Sequence, residues 1–437
     1  MPNPIKHTNG VLLLYNRPAL FPDAATITDH IDSFGRYSRF AVTKLNTGGG
    51  FPADLRSLSF DAIVLHYSLF ASGPHPYLID EGFREWARDS DAYKVAFFQD
   101  EHEYCARRFA FLDEHGVDCV YTCFGASAYE VTYGSHTKVS RLVSYQPAYV
   151  SPDMVAAADR LRKPDAERSI DVGYRTRPTP PYFGRGGIEK TEIGRVFAER
   201  AAATGLRLDI SAREEDRLYG DAWYEFLASC RGQLGTESGV SCVDLEDEVR
   251  EEYLRLSEEG PVSIEDLERG SLGKWDGRVE LRTTSSRHFE AAAMGTCQVM
   301  FEGRYAGVLE AGRHYLSLRK DFSNIDDVIQ RFRDPAVRAE IAGNARRDLI
   351  DSGAYSYERF VERFDAVLGD AGLEPDPGLP LPAIKGRPPL VVLSRYASGA
   401  MFWLSRKHPR IERAIMRTLE PVLKVMRRRG RLRELQG

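Results

Sequence analysis

Glu290 stands in the run Ser285-Ser-Arg-His-Phe-Glu-Ala-Ala-Ala-Met-Gly-Thr296, with three alanines directly after it. Small side chains permit close approach to a helix. An ionised carboxylate is an acceptor only and can take two hydroxyl donors at once. The same run also reads as an amphipathic helix with a surface glutamate. The serine pair can cap that helix, Gly295 ends it, and the apolar strand CQVMF follows Thr296. A second group is cationic. Arg175 and Arg177 close the strand-like run Gly173-Tyr-Arg-Thr-Arg177, and Lys190 follows glycines 184, 186 and 187 where a helix opens. Cations and helix N-termini stabilise a phosphate or a leaving group that gains negative charge, and glycines let backbone approach it. Solvated surface cations would present the same pattern. A third group sits at strand ends in the first half. His66 closes DAIVLHYS, and Gln99, Asp100, Glu101 and His102 follow KVAFF. A His or carboxylate there can orient or deprotonate a hydroxyl, or serve the fold alone. Asp23 and Asp29 are weaker candidates of the same kind.

Several chemistries are not expected. The first strand continues as Tyr15-Asn-Arg-Pro18, so no G-x-G-x-x-G opens a helix after it and nicotinamide binding is disfavoured. No P-loop, HExxH or GxSxG is present, and no DxD motif flanks a strand convincingly, so no required divalent ion or resident cofactor is expected. The six cysteines are scattered without disulfide or zinc spacing and read as reduced thiols.

Positioning these groups takes a regular frame. At 437 residues the chain suits two domains and an appendage. Short apolar runs at Val11–Tyr15, Phe60–Leu65, Val95–Phe98, Cys119–Thr122 and Val139–Ser144 alternate with helix-like stretches, as in a parallel sheet covered on both faces. That gives an α/β N-terminal domain over 1–150. A Pro-containing stretch at 145–152 reads as a linker. The alternation then resumes at Ser169–Tyr174, Arg207–Ser211, Gly232–Thr236 and Cys297–Phe301, with helices at Glu189–Ala203, Trp223–Ser229 and Ser285–Met294 and three more up to 368. The expected fold class is therefore α/β with two doubly wound, Rossmann-like domains facing a cleft, the second over 151–370. Residues 242–280 are acidic and helical in flavour and read as an insertion. Residues 371–390, with six prolines, read as a linker.

The net charge of −5 hides an asymmetry. Residues 391–437 carry twelve Lys/Arg against three acids, a net of +9, which leaves −14 for the rest. Apolar residues recur among those cations at helical spacing, so the tail reads as a basic amphipathic helical segment broken at Pro409 and Pro421. It suggests an anionic membrane surface; packing on the acidic body is the other reading. Nucleic acid is not expected, because the body shows no matching basic signal. With no apolar run of about 20 residues and no signal-peptide pattern, a cytoplasmic chain is expected, peripheral to the inner face of the membrane.

Arg287, Phe289, Glu290, Ala291, Ala293, Gly295, Thr296, Glu310, Gly312, Tyr315 and Leu318 fall in an order that resembles the donor-site signature of bacterial group 1 glycosyltransferases, of the spore-maturation-like branch. The resemblance covers about 165–370. It implies a GT-B enzyme that moves a sugar from a nucleoside-diphosphate donor to a hydroxyl of a surface glycan, lipid-linked, with retention and without a metal. It implies that Glu290 accepts the ribose hydroxyls, with Arg287, Gly295 and Thr296 also on the donor. It further implies an Arg and a Lys on the diphosphate, here Arg175 and Lys190 with Arg177 as alternate. Many members pair two glutamates across seven residues; that earlier position is Arg282 here, so Glu237 in Gly235-Thr-Glu-Ser-Gly239 is the expected substitute. His66, Asp100 and His102 are the acceptor-side candidates. The departure in spacing keeps two alternatives open: a non-catalytic nucleotide- or glycan-binding module, and a sugar-nucleotide epimerase.

Overall fold

The computed structural model describes residues 6–17, 25–70 and 78–384. Asp23, the end of the Pro-rich linker and the basic tail lie outside the described residues. The first sheet holds β1 (Lys6–Tyr15), β2 (Val42–Asn46), β3 (Leu58–Leu65), β4 (Tyr93–Phe97), β5 (Cys119–Thr122) and β6 (Arg141–Ser144). They run parallel in the order β2-β1-β3-β4-β5-β6, so the winding direction reverses between β1 and β3. Val11 to Leu14 and Ala62 to Val64 are fully enclosed, as strands covered on both faces must be. Helices α1 (Ala25–Tyr37), α2 (Glu81–Arg88) and α3 (Cys105–Glu114) supply the cover. Residues 145–151, within the stretch expected as a linker, belong to no helix or strand, and α4 (Pro152–Leu161) starts at its last residue. Ser151 accepts from Met154 N at 3.2 Å, and Pro152 takes the first helical position, where no N–H is needed.

The second unit contains β7 (Ile170–Arg175), β8 (Leu208–Ser211), β9 (Cys230–Gly235), β10 (Ser238–Cys242), β11 (Asp276–Thr283), β12 (Cys297–Phe301) and β13 (Leu316–Leu318). Five of these form a parallel sheet, β13-β12-β9-β7-β8, with the same reversal between its first and third strands. The fold is thus α/β with two Rossmann-like parallel sheets. Helices α5 (Arg185–Ala201) and α6 (Asp221–Ser229) follow β7 and β8. The insertion is bounded by strands rather than helices: β10 and β11 pair antiparallel around α7 (Glu248–Leu256), α8 (Ile264–Glu268) and α9 (Leu272–Trp275). Then come α10 (Ser286–Ala293), α11 (Ile325–Arg333), α12 (Pro335–Arg346) and α13 (Tyr357–Asp370).

Two segments depart from their place in the sequence. The insertion residues Val240, Cys242, Leu267 and Trp275 join the buried cluster of the first sheet. Helix α13 does the same: Phe360 and Phe364 meet Phe34 edge-on at 5.6 and 5.0 Å. The buried Asp365 accepts from Ser38 Oγ and Arg39 N, both at 2.7 Å. The two crossings between units run side by side, with Val150 N donating to Tyr355 O at 2.8 Å and Tyr357 N to Val150 O at 3.2 Å.

Beneath α13 lie two enclosed imidazoles, His30 Nδ1 and His66 Nε2, 3.0 Å apart. Burial holds His30 down to about 3, and burial with the neighbouring His30 holds His66 well below its usual value. The unfolded chain protonates these rings below about pH 6.5, while the folded chain does not. The stability is therefore present above pH 6.5 and is lost as pH falls through that value toward the folded pKa. For His30 the loss is on the order of 2 kcal/mol at pH 5. Thermal unfolding should show Tm dropping between pH 7 and pH 5, and dropping less in His30→Leu. An equal drop in that variant would remove His30 as the cause.

Candidate functional site

In open α/β sheets, ligands bind beyond the carboxyl ends of the strands, near the reversal of winding. In the second sheet that edge is formed by the ends of β7, β9 and β12 and by the first turns of α5 and α10. Ser285 N donates to His288 Nδ1 at 3.1 Å and closes the start of α10. One turn further on, Glu290 is 8% exposed and its Oε2 accepts from Trp223 Nε1 of α6 at 2.6 Å. Burial raises the Glu290 carboxyl; the Trp223 hydrogen bond, the Arg287 charge and Ser286 oppose the rise, and Asp29 of α1 adds to it. The Glu290 carboxyl thus feels the charge of a carboxylate from the first unit.

Lys190 on α5 is the second element of this edge. Its Nζ donates to Gly239 O at 2.8 Å. Burial lowers it to about 8; Asp100 pulls it up, while Arg177, Arg282 and Arg287 push it down. Four cations thus crowd one place, with Asp100 facing them from the end of β4. Arg282, which stands where a glutamate was sought, is neutralised by Glu189 at 2.8 Å, and Lys320 Nζ reaches the same Glu189 at 2.8 Å. Gly186 makes room for Arg282: a Cβ there would lie 2.5 Å from its Nη2. Arg287 Nη1 donates to Arg175 O at 2.5 Å, and its guanidinium lies 5.3 Å from the Trp223 ring centre.

Several expected residues are placed otherwise. The Arg175 guanidinium turns away from the edge. It donates to Asp216 O, Tyr174 O and Asp209 O and pairs with Asp209 Oδ1 at 2.8 Å, so its donors bind strand ends together. Glu237 Oε1 accepts from Arg304 N at 2.9 Å and Tyr305 N at 2.8 Å, which holds the loop after β12. A Cβ at Gly303 would meet its carboxylate at 2.6 Å, so that loop is seated directly on it. Gly295 and Thr296 belong to the opposite edge of the sheet, because α10 carries the chain back to the start of β12. Thr296 is fully buried, donates to Leu227 O at 3.0 Å and accepts from Arg168 Nη1 at 2.9 Å. Gly295, at φ +64, lines a cavity of about 440 Å³ with Arg162, Arg168 and Arg338.

On the acceptor side, His66 is enclosed: its Nε2 contacts His30, and its Nδ1 accepts from Ser68 N at 3.0 Å and lies 2.8 Å from Ser68 Oγ, so both ring nitrogens are engaged within the fold. His102 is 5% exposed, packs edge-on against Phe183 at 4.7 Å and lies 3.5 Å from the Glu103 carboxylate, under the insertion. Asp100 alone of the three is exposed. Trp223 and Glu189 were not singled out by sequence; both stand on helices far along the chain from the groups they hold, and only tertiary structure brings them there.

The Arg168–Thr296 contact predicts a stability effect confined to the far edge. Thr296→Val removes one of the acceptors of the buried Arg168 guanidinium, whose Nη1 keeps Cys230 O at 2.6 Å, and one of the donors to Leu227 O, which keeps Cys230 N, so it should cost about 1 kcal/mol in urea unfolding. Nucleotide affinity should be unchanged; a loss of affinity without a loss of stability would return Thr296 to the donor site.

Neither a protein-family model nor a curated protein matches the chain. Solved structures with a similar fold include TarM of S. aureus, with TM-score 0.39 and 11% identity over 72% of this chain. The chain spans 56% of TarM's length. An alpha-glucosyltransferase in complex with UDP gives TM-score 0.47 and 10% identity over 82% of this chain and 99% of that one. Anabaena Alr3699/HepE in complex with UDP and glucose gives 0.45 and 11% over 83% and 100%. At these scores, function is left to the residues themselves.

Proposed function

We propose that the chain is a glycosyltransferase that moves a sugar from a nucleoside-diphosphate donor to a hydroxyl of a glycan acceptor. The observation that carries this reading is Glu290, a carboxylate buried in a helix at the ligand-binding edge of a Rossmann-like sheet, with the cationic Lys190 and Arg287 on the same edge. Glu290 receives the ribose hydroxyls; an oxygen engaged by one N–H keeps further acceptor capacity. Lys190 and Arg287 neutralise the diphosphate, and this charge matters most as the glycosidic bond breaks. No resident cofactor is assigned to this chemistry. Asp100 faces the cations from the other sheet and is the group we assign to the acceptor hydroxyl. A lipid-linked acceptor and retention at the anomeric carbon belong to the same proposal and rest on the family resemblance.

Glu290→Ala should weaken nucleoside-diphosphate binding about a hundredfold, the loss of two charge-assisted hydrogen bonds, while the fold persists. Slow release of nucleoside diphosphate from a sugar donor, read by chromatography, should fall with it. An altered sugar nucleotide as product would point to epimerisation instead. Because Lys190 sits near 8, affinity should fall as pH rises from 7 to 9.5, and Lys190→Met should flatten that dependence. A pH-independent parent affinity would remove Lys190 from the diphosphate.

We further propose that residues 391–437 hold the enzyme at an anionic membrane surface, where a lipid-linked acceptor resides. Among the described residues no helix is long and apolar enough to cross a membrane. Each Lys or Arg near such a surface contributes about 1 kcal/mol, within a Debye length. The full chain should co-sediment with phosphatidylserine vesicles at low salt and release at high salt. Truncation at residue 390 should abolish co-sedimentation and keep nucleotide binding; indifference of the full chain to the vesicles would sink the idea.

A further inference from the structure

We propose that Trp223 is a positioning residue for the donor: its indole N–H fixes the orientation of the Glu290 carboxylate that receives the ribose hydroxyls. The inference rests on the reading of Glu290 above. The contact is short, 2.6 Å from Nε1 to Oε2, and both side chains are 8% exposed. It joins two helices, α6 and α10, whose contributing residues lie 67 positions apart. An indole N–H donates only, so it cannot serve a protonated partner in the opposite sense; it selects a carboxylate oxygen facing it.

The ring that carries this N–H is itself held. Phe226 stacks on it at 5.7 Å and 28°, and the Arg287 guanidinium lies 5.3 Å from its centre. Arg287 is tied to Arg175 O, and the Arg175 guanidinium lies 4.3 Å from the Phe226 ring. The contacts form a closed set around the indole, anchored to β8 through Asp209. With Phe226 and Arg287 packed on it, Trp223 is built to hold Glu290 rather than to stack a base. The groups facing Glu290 are Arg287 and Ser286 on its own helix, Trp223 and Tyr224 on α6, and Asp29 on α1. Burial and Asp29 favour the neutral carboxyl, so Trp223 and Arg287 keep the acceptor form available.

Trp223→Phe keeps the ring and removes the N–H. UDP, GDP, ADP, CDP and dTDP are titrated calorimetrically into the full chain, and the tightest binder is carried through variants between pH 5.5 and 8, with Tm recorded for each. Trp223→Phe should raise Kd about tenfold at pH 7, the loss of one hydrogen bond to a charged group, and more at pH 5.5 than at pH 8. The effect should vanish in a Glu290→Ala background, which removes the acceptor. Trp223→His, smaller but with a ring N–H, should bind more tightly than Trp223→Phe. If Glu290→Gln weakens binding and Trp223→Phe does not, the positioning role is wrong and the donor reading stands. If Trp223→Phe is equally damaging with and without Glu290, the indole acts on the nucleotide directly and the inference also fails. If Glu290→Gln binds like the parent, or no nucleotide binds, the donor reading itself is lost.

Discussion

A charged carboxylate buried in the middle of a helix costs several kcal/mol unless donors and cations surround it. Glu290 imposes that constraint on the second sheet. Its hydrogen-bond donor comes from α6, its nearest cation from its own helix, and that cation is tied by a backbone carbonyl to the end of β7. Arg175 then binds the ends of β7 and β8 to each other through Asp209. The short helix α10 supplies none of these partners except Arg287 and Ser286. A carboxylate in this setting is expensive for the fold and is well suited to receive hydroxyl donors from a ligand.

The second requirement is that groups from the first sheet meet this edge. The charges of Asp29 and Asp100 act on Glu290 and Lys190 only if the two sheets keep a set relation. Three devices provide it. The paired crossings at Val150 and Tyr357 join the chain to itself, α13 is tied through Asp365 to Ser38 and Arg39 just after α1, and the insertion reaches across. Asp247 of the insertion accepts from Ala106 N and Arg107 N, both at 3.2 Å, and so satisfies free amides at the start of α3. Beside it Arg250 pairs with the buried Glu103 and donates to Tyr182 Oη at 2.7 Å. The insertion is thus a brace between the units, and its acidic character is partly spent on capping a helix of the other unit.

The frame was legible in the sequence because parallel strands buried on both faces leave continuous apolar runs, such as Leu12–Leu14 and Val299–Phe301. Strand β2 was not, since Val42–Asn46 carries only half that signal with Lys44 and Asn46 in it, and β13 is three residues long. The expectation of a shared sheet edge is met in placement by Glu290 and Lys190, where residue type and local context coincide. It failed for Gly295 and Thr296 because proximity in a motif is not proximity in space: an eight-residue helix spans about 12 Å and delivers its two ends to opposite edges of the sheet. His66 failed for a related reason. Its place at a strand end is correct, yet the pleat turns its ring inward to His30. Glu237 stands at the expected strand end, but its carboxylate binds two amides of a loop more than sixty residues away, which no local pattern reveals.

The central claim is that the carboxyl edge of the second sheet binds a nucleoside diphosphate through Glu290, Lys190 and Arg287. The most direct measurement is a crystal structure of the full chain with the tightest-binding nucleoside diphosphate. The ribose hydroxyls should lie within hydrogen-bond distance of the Glu290 carboxylate, with the diphosphate between Lys190 and Arg287. A nucleotide seated instead in the arginine-lined cavity beside Gly295, at the opposite edge, would contradict the account.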